Sequence, residues 1–200
     1  MSEPNATITR FYRWNAPIYD LTRWVIQRGR RAAVDALELE PGDGVLEIGC
    51  GTGLNFARLR SKVGDAGRIV GVDLSADMLA RARRRRSPNI ELIREDAAVL
   101  ALDKRFHGVL LTYALTIIPD WQAAVGRAFE HLAPGGRLVV LDFGHTDHRL
   151  ALHRRLFDWY LALNHVHTDR DLAGELGRHT DRVDILRPTT AYATLIRCRK

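Results

Sequence analysis

Two rhythms of apolar residues run along the chain. Short, nearly continuous Val/Ile/Leu runs occur at 44–48, 68–72, 90–94, 107–112 and 137–142. Between them lie segments with apolar residues at helical spacing, at 18–38, 53–61, 76–85 and 121–131, then 149–163 and 170–177. The first set predicts strands buried on both faces, and the second predicts helices that cover them. Two closing runs, 182–188 and 191–198, fit an antiparallel hairpin. The pattern predicts a doubly wound α/β fold whose sheet is mostly parallel.

In such sheets, ligands gather at the carboxyl ends of the strands. Glu47, Asp73, Asp96, Thr112 and Asp142 all fall at or just beyond those predicted ends. The most informative stretch is Val45-Leu-Glu47-Ile-Gly49-Cys50-Gly51-Thr52-Gly53-Leu-Asn55. A strand that opens into glycines and then a helix lets backbone amides approach a ligand closely, because no Cβ intervenes. The dinucleotide fingerprint requires a further small residue where this chain has Leu54 or Phe56, so the loop points to a nucleoside ligand without a pyrophosphate. Asp73 follows Gly53 by 20 positions, near the offset at which a carboxylate meets a ribose diol. Cys50 reads as a small filler rather than a nucleophile.

Composition narrows the class. The 200 residues suit one domain, and 46% hydrophobic with 27% charged residues is ordinary for a globular chain. No run of 18 apolar residues exists to span a membrane. Residues 1–7 lack the apolar core of a signal peptide, and two cysteines are too few for a disulfide framework. A cytoplasmic protein is expected.

Five segments in order resemble the class I S-adenosylmethionine-dependent methyltransferases. They are the glycine loop, Gly67-Arg-Ile-Val-Gly-Val-Asp73-Leu-Ser, Asn89-Ile-Glu-Leu-Ile-Arg-Glu-Asp96-Ala97, the 106–121 strand and loop, and Leu132-Ala-Pro-Gly-Gly through Asp142-Phe-Gly. The resemblance implies the Rossmann-like seven-stranded sheet of that family over one domain, residues 1–200. Within it, 1–40 would form amphipathic cap helices, 41–144 a cofactor-binding core, and 145–200 an acceptor-side helix with the closing strands. The implied cofactor is S-adenosyl-L-methionine, released as S-adenosyl-L-homocysteine. Its implied binding residues are Tyr12, Glu47, Gly49, Gly51, Thr52, Gly53, Asn55, Asp73, Leu74, Met78, Asp96, Ala97 and Thr112. Tyr19, Tyr113, Asp142 and His145 are candidates, by position alone, to take a proton from the acceptor.

The acceptor is read from the first thirty residues. Phe11-Tyr12-Arg-Trp14-Asn-Ala16-Pro-Ile-Tyr19-Asp20 resembles the lead-in of ubiquinone-type C-methyltransferases and of bacterial lipid N-methyltransferases. Tyr19-Asp-Leu-Thr-Arg-Trp followed by Gly29-Arg30 is similar to the lipid-headgroup enzymes. Four of the chain's six net positive charges lie in the first 31 residues, beside Trp14 and Trp24. An amine lipid headgroup such as phosphatidylethanolamine is therefore the first expected acceptor. An anionic membrane surface is the expected partner, with peripheral attachment to the inner membrane face. A quinone precursor or small metabolite, methylated on carbon or oxygen, is the alternative, and a non-catalytic membrane-binding module is a third reading. An ordinary covering helix with a solvated arginine face, and a packed surface helix at 149–163, remain open beside these.

Two features point away from other partners. The Arg81–Arg86 run falls in the last turns of a helix, where cations complement the dipole, and reads as a solvated terminus. No Asn/Asp-Pro-Pro-aromatic motif follows the fourth strand, so no nucleic-acid substrate is expected. His145, His148, His153, His165 and His167 lack a matching acidic pattern, so no metal is expected either.

Overall fold

The structure, a computed structural model, describes residues 27–85, 87–143, 167–186 and 193–200. Its strands are β1 (Gly44–Ile48), β2 (Arg68–Asp73), β3 (Ile90–Arg94), β4 (Phe106–Thr112), β5 (Leu132–Phe143), β6 (Val183–Leu186) and β7 (Ala193–Arg199). Its helices are α1 (Gln27–Ala36), α2 (Phe56–Val63), α3 (Ala76–Ala82), α4 (Trp121–Glu130) and α5 (Leu172–Gly177). The lead-in at 11–20, the first part of the helix expected over 18–38 and the helical stretch at 149–163 lie outside the described residues.

The strands form one sheet in the order β3-β2-β1-β4-β5-β7-β6. Neighbours from β3 through β5 pair in parallel, while β7 runs antiparallel to both β5 and β6. The order reverses between β1 and β4, and that reversal opens a crevice at the carboxyl ends of the two strands.

Alternation along each strand divides the core in two. Leu46, Ile48, Val70, Val109, Leu111 and Val140 pack with Ala124, Val125 and Phe129 of α4 and with Leu172 and Leu176 of α5. Val45, Ile69, Leu110, Val139 and Leu141 pack with Ala33 and Val34 of α1, Phe56 and Leu59 of α2, and Leu79 of α3. Three of the helices, α3, α4 and α5, begin where a side chain accepts an otherwise orphaned amide. Ser75 takes the Met78 N–H, Asp120 that of Ala123, and Asp171 that of Gly174.

Several boundaries differ from expectation: the helix expected over 53–61 spans Phe56–Val63, after the glycine turn, and two others have a visible cause. The helix expected over 76–85 is α-helical only to Ala82 and continues as a 3₁₀ turn over Arg83–Arg85. β5 begins at Leu132, which pairs with Phe106, but the register shifts before Gly108 meets Arg137. The predicted 137–142 is the regular part. The Pro134-Gly135 step that delays it is visible in the φ of 75° at Gly135.

Gly71 shows how tightly the α2 face is filled. A Cβ there would stand 2.7 Å from the Phe56 ring, 3.1 Å from Cys50 Sγ and 3.1 Å from Leu92. Gly71→Ala is expected to cost about 1–3 kcal/mol through overpacking. Urea unfolding measures it, and an unchanged midpoint would show that Phe56 moves aside freely.

Candidate functional site

β1 delivers the chain into the crevice at Gly49. Gly49, Gly51 and Gly53 have φ of 70°, 56° and 75°, a left-handed geometry that is costly for residues with a Cβ. At Gly49 space is also short, because a Cβ would lie 2.7 Å from that of Ala114. The glycine loop thus presses against the loop after β4. A pocket of about 950 Å³, counting its open mouth, lies between them and the ends of β2 and β3. Gly49, Gly51, Thr52, Asp73, Leu74, Met78, Asp96, Ala97, Thr112 and Tyr113 all line it. The structure brings together ten residues that the sequence assigned to one site.

Acids occupy one end. Asp73 Oδ2 accepts the Gly51 amide at 2.8 Å and Oδ1 accepts that of Ser75 at 2.9 Å. Desolvation raises its pKa above the ordinary range, and these two bonds oppose the shift. A carboxylate has about four acceptor positions, so the outward pair stays available to a diol. Asp96 Oδ1 holds the Ala98 amide at 3.0 Å, and exposed Glu95, missed in the sequence, stands beside it in the wall.

Behind the glycine loop lies a buried polar chain. Asn55 Nδ2 donates to Glu47 Oε1 at 2.6 Å and to Thr112 Oγ1 at 3.1 Å. Arg30 Nη1 donates to the same Thr112 oxygen at 2.5 Å. Glu47, Gly53 and Asn55 are not part of the pocket wall; Asn55 links Glu47 to Thr112, which is. Arg30 does line it. Helical periodicity put Arg30 in a basic run but not in the wall. Burial pushes the Glu47 carboxyl up to about 7, against the charge of Arg30 and the Asn55 bond, with Asp73 pushing the same way. Burial also raises the Cys50 thiol, which makes it a poor nucleophile.

Asp142 has a different task from the one its position suggested. It is fully buried, is not part of the pocket wall, and accepts from Thr116 Oγ1 at 2.6 Å, Thr116 N at 3.2 Å and Phe143 N at 2.8 Å. A carboxylate so engaged does not reach an acceptor's proton. It anchors the loop after β4 instead. From the other side, Arg170 Nη1 donates to the carbonyls of Leu115 and Ile118, the latter at 2.7 Å, and stands 5.7 Å from the Trp121 ring. The loop so braced carries Ile117, Ile118 and Pro119 into the pocket wall.

Tyr113 has φ 54°, unusual for a residue with a Cβ, and this strain sits at the site itself. Its ring lies 4.9 Å from that of Phe143 and 5.2 Å from the Arg30 guanidinium. The Arg81–Arg86 run is only partly the solvated terminus expected. Arg83 and Arg84 are exposed, but Arg85 Nη1 reaches the Thr52 carbonyl at 2.7 Å. The 3₁₀ turn brings it within range of the glycine loop. Tyr12, Tyr19, His145 and Arg86 lie outside the described residues. Among the described residues, no three His, Cys, Asp or Glu side chains gather as metal ligands.

The raised Glu47 carboxyl has a signed consequence. Its ordinary pKa is 4.5 and its folded value about 7, so ionisation opposes folding as pH climbs between them. The full loss, reached by pH 8, is about 3 kcal/mol. Glu47→Gln keeps an acceptor for Asn55 and removes the titration. Wild type and variant should run closest below the ordinary pKa of 4.5, and the variant should gain progressively from there through the folded value of about 7, in urea unfolding without ligand. Parallel curves would contradict this.

The methyltransferase-domain family matches residues 45–136. Over 154 residues the chain is 37% identical to the 2-phytyl-1,4-naphtoquinone methyltransferase of Thermosynechococcus vestitus, covering 73% of this chain and 68% of that protein. It is 36% identical to the demethylmenaquinone methyltransferase of Renibacterium salmoninarum, covering 65% of this chain but only 56% of the relative's length. A solved structure of Haemonchus contortus phosphoethanolamine N-methyltransferase 2 with S-adenosylhomocysteine shares the fold at TM-score 0.75 and 18% identity, covering 93% of this chain and 46% of that one. The N-methyltransferase NodS of Bradyrhizobium japonicum, also with S-adenosylhomocysteine, shares it at TM-score 0.60 and 20% identity, covering 86% of each chain. That degree of identity over two thirds of the Thermosynechococcus enzyme, with the methyltransferase-domain match across the strands and glycine loop that form the pocket, shows that the chain belongs to the class I S-adenosylmethionine-dependent methyltransferases.

Proposed function

We propose that the chain transfers the methyl of S-adenosylmethionine to a ring carbon of a membrane-borne hydroquinone, of the demethylated menaquinone type. One observation carries this reading: the character of the wall opposite the acidic end. There Leu54, Tyr113, Ala114, Ile117, Ile118 and Pro119 offer apolar and aromatic surface, and the only cation in the described lining is Arg30. A flat aromatic acceptor suits that wall, whereas an ammonium headgroup would meet a like charge there. The names of the relatives at 36–37% identity support the same acceptor class. The amine headgroup expected first from the sequence becomes the rival reading, because the phosphoethanolamine enzyme shares only the fold.

The chemistry asks mainly for alignment. The ring carbon forms a bond to the methyl as the sulfur–methyl bond breaks, and the ring proton leaves to restore aromaticity. A hydroquinone oxyanion raises electron density at that carbon. The braced loop after β4 would hold the ring in line and keep water out. Surface attachment to an anionic bilayer is part of the proposal. It is supported by a net charge of +6, while no helix among the described residues is long and apolar enough to cross a membrane.

Labelled-methyl transfer distinguishes the acceptors. Anionic vesicles carrying reduced demethylmenaquinone and phosphatidylethanolamine together should yield label in the quinone. Label confined to the phospholipid would replace this acceptor with the rival. For the donor, Asp73→Ala is expected to weaken S-adenosylhomocysteine about tenfold or more in calorimetry, and unchanged affinity would remove Asp73 from the ribose site.

A further inference from the structure

We propose that Arg30 is the oxyanion-binding residue of the pocket, and that the Gly29–Arg30 pair exists to place it there. A Cβ on Gly29 would stand 3.1 and 3.2 Å from the two methyls of Leu141 and 3.3 Å from the Tyr113 hydroxyl oxygen. A side chain there would make Leu141 and Tyr113 give by a few tenths of an ångström. Gly29 thus seats α1 closely on β5, and Arg30 follows it in the pocket wall. Arg30 is only 8% exposed, yet it lines the cavity.

Its orientation is set from two sides. Thr112 Oγ1 holds one corner of the guanidinium at 2.5 Å, and the Tyr113 ring lies beneath the guanidinium at 5.2 Å. A guanidinium stays charged at any working pH and presents its donors as a planar fork that matches a carboxylate or phenolate. The three lining acids, Asp73, Glu95 and Asp96, occupy the ends of β2 and β3, while Arg30 stands at the ends of β1 and β4. A ligand with a diol and base at the acidic end would carry its anion at the Arg30 end.

Two sources supply such an anion: the α-carboxylate of the donor's amino-acid tail, and the deprotonated oxygen of the acceptor. The first does not depend on the quinone reading and the second does. S-Adenosylhomocysteine and 5′-methylthioadenosine separate them, because the latter keeps the adenosine and thioether but has no amino-acid tail. Their affinities would be measured by calorimetry for wild type, Arg30→Lys and Arg30→Met, together with the pH–rate profile of methyl transfer.

If Arg30 grips the carboxylate, Arg30→Met weakens S-adenosylhomocysteine about 10- to 100-fold and leaves methylthioadenosine unchanged. Arg30→Lys then recovers part of the loss, having the charge without the fork. Methylthioadenosine binding also reports that the variant is folded. If Arg30 holds the acceptor oxygen, both nucleoside affinities stay constant and the rising limb of the pH–rate profile moves to higher pH in Arg30→Met. Equal loss of both ligands would show a structural role and overturn the proposal. Unchanged affinities with an unchanged pH profile would overturn it as well.

Discussion

Glu47 is a carboxyl with no access to water at the centre of a seven-stranded sheet, and the site is organised around keeping it tolerable. A buried polar group without partners is expensive, so the fold brings partners to it. Asn55, at the mouth of α2, supplies one bond and passes a second to Thr112 at the end of β4. Arg30 closes the chain from α1 and adds a balancing charge. Four elements distant in sequence are thereby held in register at the point where the pocket opens. The acid lies behind the wall, but the positions of the groups that form the wall depend on it.

The glycine loop is held with similar redundancy. Three left-handed residues in five would be floppy if left alone. Asp73 grips the Gly51 amide from β2, and Arg85 grips the Thr52 carbonyl from the far end of the following helix. The loop is clasped at adjacent residues by groups of opposite charge. A strained backbone persists when its surroundings over-determine it. Within the loop the Cys50 amide donates to the Val72 carbonyl at 2.9 Å and the Gly53 amide to the Cys50 carbonyl at 3.0 Å, so the backbone shape is fixed from inside as well.

Much of this could be read in the sequence, for identifiable reasons. Buried parallel strands announce themselves by uninterrupted Val/Ile/Leu runs, and a loop that needs left-handed backbone announces itself by glycine. Asp73 and Asp96 were legible because strand ends are where such folds bind ligands. Asp142 met the same positional rule and differed, since alternation puts it with Leu138 and Val140 on the α4 face, where Thr116 claims it. That parity was a usable signal. Arg30 and Arg85 were less accessible, because a long flexible side chain in a basic run looks alike whether it ends in water or on a carbonyl. Arg170 carried no local signal at all, as its partners lie more than fifty residues earlier.

The anchoring of Thr116 bears on how this scaffold could change its acceptor. Its hydroxyl and amide are held by Asp142, at the end of β5, and its carbonyl receives the His167 amide at 2.9 Å. The chain therefore departs from and returns to a single residue. Any change of acceptor would have to keep this knot, because losing Thr116 would release the loop after β4, the end of β5 and the approach to α5 together.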